Sequence, residues 1–146
     1  MASVRGGDKW QTVLNKLAAG LSNASLLQVG FLENATYSDG TSVPLIAAMN
    51  EFGRPPRQPP RPFMRLTVNT YKATWGPQMA ASLKATNYNA KLSLDRLGQI
   101  VKGDIQQSIR DLMAPPLSPI TIARKGFDKP LIDTGHMISS VDYRVK

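Results

Sequence analysis

Between Arg54 and Arg65 the chain reads RPPRQPPRPFMR, five prolines and four arginines in twelve positions. Proline fixes φ near −65° and has no N–H, so neither a helix interior nor a central strand can pass through such a stretch. Everything before it must finish its secondary structure, and everything after it must start afresh. The pattern predicts a stiff, extended, basic arm over about residues 54–65, reaching out of its own subunit. On its N-terminal side, Val43 to Phe52 carries a helical apolar pattern that Gly53 ends as a C′ residue.

The same stretch divides the chain electrically. No aspartate or glutamate lies between Glu51 and Asp95, whereas Arg54, Arg57, Arg61, Arg65, Lys72, Lys84 and Lys91 all do, so the middle third holds most of the net charge of +8. A carboxylate-free segment is either a solvated face or a surface turned toward nucleic acid or an acidic partner. Arg65, Lys72, Lys84 and Lys91 are the candidates for a DNA channel or an acidic docking ring. Apart from Phe63 the arginines have no interleaved aromatics, so base stacking is not supported and only sequence-independent phosphate contact stays open.

The rest of the chain alternates helix signals with two short strands. After Asp8 as an N-cap, Trp10, Val13, Leu14, Leu17, Ala18 and Leu21 recur at helical spacing, an amphipathic helix expected to pack on a sheet, with a partner-binding helix as the alternative. Ser25 to Glu33 alternates as a strand with Leu27, Val29 and Phe31 on one face, and Asp39-Gly40 supplies a turn. Phe63 to Leu83 reads as helix with a kink or break at Trp75-Gly76 ahead of Pro77, because an interior proline costs about 3 kcal/mol. Leu94, Leu97, Val101, Ile105, Ile109 and Leu112 form the buried stripe of a second long helix, in which Gly98 and Gly103 are tolerable where another helix packs closely. Ser118, Pro119 and Gly126 bracket a two-turn helix, Thr134 caps another short one, and Val141, Tyr143 and Val145 alternate in a terminal strand that pairs with Ser25–Glu33. The expected fold class is α+β: one domain over residues 1–146, with a small antiparallel sheet packed against several helices and an extended Pro/Arg-rich arm.

Chemistry is hard to assemble from these residues. With no cysteine and one histidine, thiolate nucleophiles, disulfides, Cys-type zinc sites and imidazole metal sites are excluded or unsupported, and no cofactor or metal is expected. Asp133, His136 and Ser139 or Ser140 have hydrolase residue types but sit too close together on one short helix to line up as a triad. Glu33 and Glu51 are the only glutamates and the aspartates are scattered, so paired-acid catalysis lacks material. The chain reads as a non-enzyme. No apolar run approaches the roughly 20 residues of a membrane span, and Met1 to Lys9 lack a signal-peptide core, so cytoplasmic synthesis is expected.

The blocks NEFG (Asn50–Gly53), PPRPF (Pro59–Phe63), PPLSPITIARKG (Pro115–Gly126) and KPLIDTGHMISSVDYRV (Lys129–Val145), in this order, resemble the tail-completion or neck proteins of long-tailed bacteriophages, the head-tail joining and virion morphogenesis group. That resemblance implies a structural virion protein. It would be assembled in the host cytoplasm and located at the tail-proximal neck, as a closed ring of copies, sixfold with twelvefold as the alternative. Its partners would be the head-closure or connector proteins, the tail terminator or tail tube, and genomic DNA in the channel, with no membrane. The expected subunit interface is Phe52, Arg54, Arg57, Arg61, Pro62 and Phe63. A nonspecific DNA-binding accessory protein is the alternative.

Overall fold

A computed structural model describes residues 7–146, among which six helices and two strands form. Asp8 lies inside α1 (Gly7–Leu21) rather than capping it. Strand β1 (Leu27–Phe31) leads through a turn to α2 (Val43–Phe52), where Ser42 accepts from the Leu45 N–H and Pro44 fits the first turn. In that turn Asp39 accepts from the Thr41 N–H at 2.9 Å, and Gly40 takes φ 83°.

Two long helices follow. α3 (Phe63–Ala85) and α4 (Ala90–Asp111) are joined by four residues, and two bonds fix them antiparallel: Trp75 Nε1 donates to Asp104 Oδ2 at 2.8 Å, and the Thr86 and Ser93 hydroxyls pair at 2.7 Å. α3 runs unbroken through Pro77, so of the kink or break expected at Trp75-Gly76 the break does not occur. Pro77 and Ala73, whose carbonyl loses its partner, are both exposed, so water satisfies what the proline leaves free. The short helix α5 (Pro119–Lys125) has the Ser118 cap, the Pro119 start and a left-handed Gly126 stop that its sequence announces. α6 (His136–Ser139) starts after Gly135, which has no side chain to cap it, and the Thr134 hydroxyl accepts from the His136 N–H at 3.4 Å.

Strand β2 (Val141–Val145) pairs antiparallel with β1, from Leu27 opposite Val145 to Phe31 opposite Val141. This two-stranded sheet packs on α4, and the partner that fills the space over Gly98 is Tyr143 of β2 rather than another helix. The core joins Val43 and Ala47 of α2, Phe63 of α3, Val101, Ile105 and Ile109 of α4, then Leu112, Leu131, Met137 and Val141. Leu94 and Leu97 of the expected stripe are only half-buried. The outcome is an α+β fold, a two-stranded antiparallel sheet against several helices.

Two expectations fail at the level of packing. α1 has no buried residue and lies mainly against α4, not on the sheet. Its C-terminal end is tied down where Asn23 donates to Asn89 Oδ1 at 3.0 Å and accepts from the Lys91 N–H at 2.8 Å. The proline segment does not project as an arm. Arg54 and Gln58 exchange backbone hydrogen bonds at 2.8 and 2.9 Å, the Arg61 N–H donates to the Asn50 carbonyl at 2.6 Å, and Gln58 Nε2 reaches Asn50 Oδ1 at 2.7 Å. The few N–H groups that the prolines leave are thereby spent inside the chain, closing a compact loop under α2. Gly53 permits it: with φ 76°, a Cβ there would stand 2.7 Å from the Pro60 nitrogen.

Candidate functional site

The side chains expected to meet a neighbouring subunit divide into two sets. Phe63 is 1% exposed and packs edge-to-face on Phe31, with ring centroids 6.0 Å apart, while Arg61 is 7% exposed and Pro62 half-buried. Phe63 and Arg61 are covered by their own chain and are corrected from interface to interior, because the loop turns back instead of reaching outward, while Pro62 is covered only in part. Phe52, at 68% exposure, and Arg54 and Arg57 remain on the surface.

Arg65 has a structural assignment. Its Nε donates to Glu51 Oε1 at 2.8 Å and its Nη2 to the Glu51 carbonyl at 2.9 Å, while its guanidinium lies 5.5 Å from the Phe52 ring centre. Glu51, 6% exposed, also accepts from the Met64 and Arg65 N–H groups at 2.8 and 3.1 Å. A carboxylate thus caps α3, where Pro62 offers no side chain to do so. Lys72, Lys84 and Lys91 are exposed. Lys72 and Lys84, twelve positions apart on α3, are separated by about 18 Å along the axis and about 120° around it, so they do not line one stripe.

Two apolar surfaces stay uncovered. On α1, Trp10 is 70% exposed, and Val13, Leu14 and Leu21 are exposed beside it. Between β1, α2 and the start of α3 runs a trough of about 370 Å³ lined by Phe31, Ala47, Phe52, Phe63 and Met64. It adjoins, at Val29 and Met64, a second hollow of about 290 Å³ lined by Leu27, Val68, Trp75 and Leu97.

Elsewhere, the proline loop, α5, Pro130 and Asp133 surround a polar cleft of about 630 Å³ with Arg57, Arg61, Arg124 and Lys125 on its walls. Burial holds the Arg61 guanidinium below its ordinary value. Lys125 is also pulled down, chiefly by burial; Asp133 opposes that shift, and the positive charges of Arg61 and Arg124 add to it. The Lys125 ammonium donates to the carbonyls of Ile132 and Lys129, the latter at 2.9 Å, and so ties α5 to the following loop. Sequence reasoning placed Arg61 at an interface and did not single out Arg124 or Lys125. The signal present was the Arg124-Lys125 pair at the end of a fully bracketed helix.

Next to the cleft, His136 Nε2 lies 2.8 Å from the Thr36 carbonyl, and its ring stacks at a tilt on Tyr37 at 4.9 Å. Asp133 and Ser139 are not brought into line with it. Among the described residues no group of three or more His, Asp or Glu side chains is placed to hold a metal ion, and no helix is long and apolar enough to cross a membrane. Comparison with protein-family models, with curated proteins and with solved structures finds no match to this chain in any of the three.

Proposed function

We propose that this protein is a structural component of a tailed-phage virion, acting by assembly as a closed ring at the head-tail junction, where it completes the tail and joins it to the DNA-filled capsid. The observation that carries this reading is α1, a fifteen-residue amphipathic helix without one buried residue. An apolar helix face left in water is unfavourable by about 25 cal/mol per Å², and a chain that keeps one has a use for it. The four sequence blocks between Asn50 and Val145 support the phage assignment.

The occupant that fits α1 is a second copy of the chain, because the trough between β1, α2 and α3 offers the complementary apolar surface. A helix on one copy and a trough on the next are different surfaces, and such head-to-tail contacts close into rings. Trp10, Val13, Leu14 and Leu21 together present about 400 Å² of apolar surface, about half of the roughly 800 Å² per partner of a standard interface. One such joint makes a weak dimer, whereas in a ring every copy makes two. Phe52 lines the trough, so of the interface expected from sequence Phe52 stays in the proposal, whereas Arg54 and Arg57, though exposed, lie outside it. High-resolution imaging of intact particles tests it. A ring of this chain, sixfold, at the portal-proximal end of the tail is expected; particles lacking the chain, or carrying it elsewhere, overturn it.

A further inference from the structure

The cleft between the proline loop and α5 carries four cationic side chains, Arg57, Arg61, Arg124 and Lys125, against one carboxylate, Asp133. Like charges gathered in a partly desolvated hollow repel one another, and the arrangement persists only if something offsets it. Lys125 offsets its own charge on backbone carbonyls. Arg61 does not. It is 93% removed from solvent, and its Nε is buried with no hydrogen-bond partner among the described residues. Asn50, which lines the same cleft, has its Oδ1 engaged by Gln58. A buried guanidinium N–H without an acceptor costs a folded chain more than an ordinary hydrogen bond returns, so an oxygen from outside the chain, of a water or of a ligand, completes it.

We propose that this cleft is an oxyanion site that takes a phosphate group, with Arg61 as its most deeply set anchor. A phosphate brings up to two negative charges and at least three acceptor oxygens. Arg61, Arg57 and Arg124 provide planar forks of N–H donors suited to such oxygens, and Gln58, Ser118 and Thr121 line the same cleft with neutral donors. A single carboxylate would occupy one fork and leave most of the positive charge unanswered. The hollow is far larger than one phosphate, so the group enters attached to something, either a free polyphosphate-type compound or the phosphodiester backbone of a nucleic acid. Asp133 faces the same space and weakens the site, which gives the proposal a handle of opposite sign.

The test is calorimetric titration of the full-length protein with pyrophosphate at low ionic strength, alongside citrate as a carboxylate of comparable charge. One pyrophosphate per chain is expected, weakened about tenfold by Arg61→Gln or Arg124→Gln and tightened several-fold by Asp133→Asn. Arg124 is exposed, so its substitution reads the site even if Arg61→Gln disturbs the loop. Absence of pyrophosphate binding at millimolar concentration, indifference to Arg124→Gln, or citrate binding equally well would each overturn the assignment. Competition with a short DNA duplex then separates the sources: displacement of pyrophosphate identifies a nucleic-acid backbone, and its persistence identifies a free phosphate compound. The isolated chain suffices, so the result is independent of whether rings form.

Discussion

Gly98 and Gly103, five positions apart on α4, show how one residue type carries two meanings. A Cβ at Gly98 would stand 2.8 Å from Cγ of Tyr143, whose hydroxyl is held by Asp95 at 2.9 Å, while around Gly103 nothing lies within 4 Å. Gly98→Ala should therefore lower stability by about 1–3 kcal/mol through overpacking, and Gly103→Ala should raise it by about 0.5–1 kcal/mol through helix propensity. Thermal melts of the two variants should shift in opposite directions. Glu51→Ala removes the acceptor for two backbone N–H groups and for Arg65 in a buried setting, and a loss of about 2–4 kcal/mol is expected in urea unfolding. Tyr37 gives a pH signature. Its hydroxyl is raised above the ordinary 10.0, first by burial and then by Asp133 and Asp39. The folded state thus retains a proton that the unfolded chain releases. The associated stability is complete below the unfolded value and falls as pH rises through the folded one. Melts in alkaline solution should show that slope reduced in Tyr37→Phe.

Among the elements, those whose start and stop are local were legible in the sequence: α5 from Ser118, Pro119 and Gly126, and β1 with β2 from their alternation. The proline loop was not, because its closure rests on Asn50 and Glu51 reaching partners eight to fourteen positions away, distances that no window of propensities covers. Proline density announces that the backbone is not helix or sheet; it does not say whether the loop points outward or inward. At Pro77 the helix continues where a break was one of the two expected outcomes, since the carbonyl left unbonded, on Ala73, is on the exposed side. Periodicity marked α1 as amphipathic but carries no information on what covers its face. In the candidate cleft, Arg57 and Arg61 stood out as charge, yet their meeting with α5 is a tertiary fact. At this scale Leu14→Asp on α1 should leave the melting temperature within about 1–2 °C of the parent, since an exposed side chain changes stability by at most about 0.5 kcal/mol. The same variant should fail to enter assembled particles, as read by their protein content.

The molecule as a whole is asymmetric in how firmly its parts are held. The α3–α4 hairpin, the sheet and the proline loop interlock through Glu51, Asp104 and Tyr143, whereas α1 hangs from Asn23 and Asn89 at one end. Amide hydrogen exchange should find α1 the fastest-exchanging helix of the isolated chain and one of the slowest after assembly, since its protection would come from a neighbour. The two tryptophans happen to fall on either side of this division. Trp75 is bonded into the hairpin, and Trp10 stands in water on the free helix. In a Trp75→Phe background the indole emission would come from that helix alone. Its shift to shorter wavelength on mixing with more protein would time the joining of copies directly, without any attached dye.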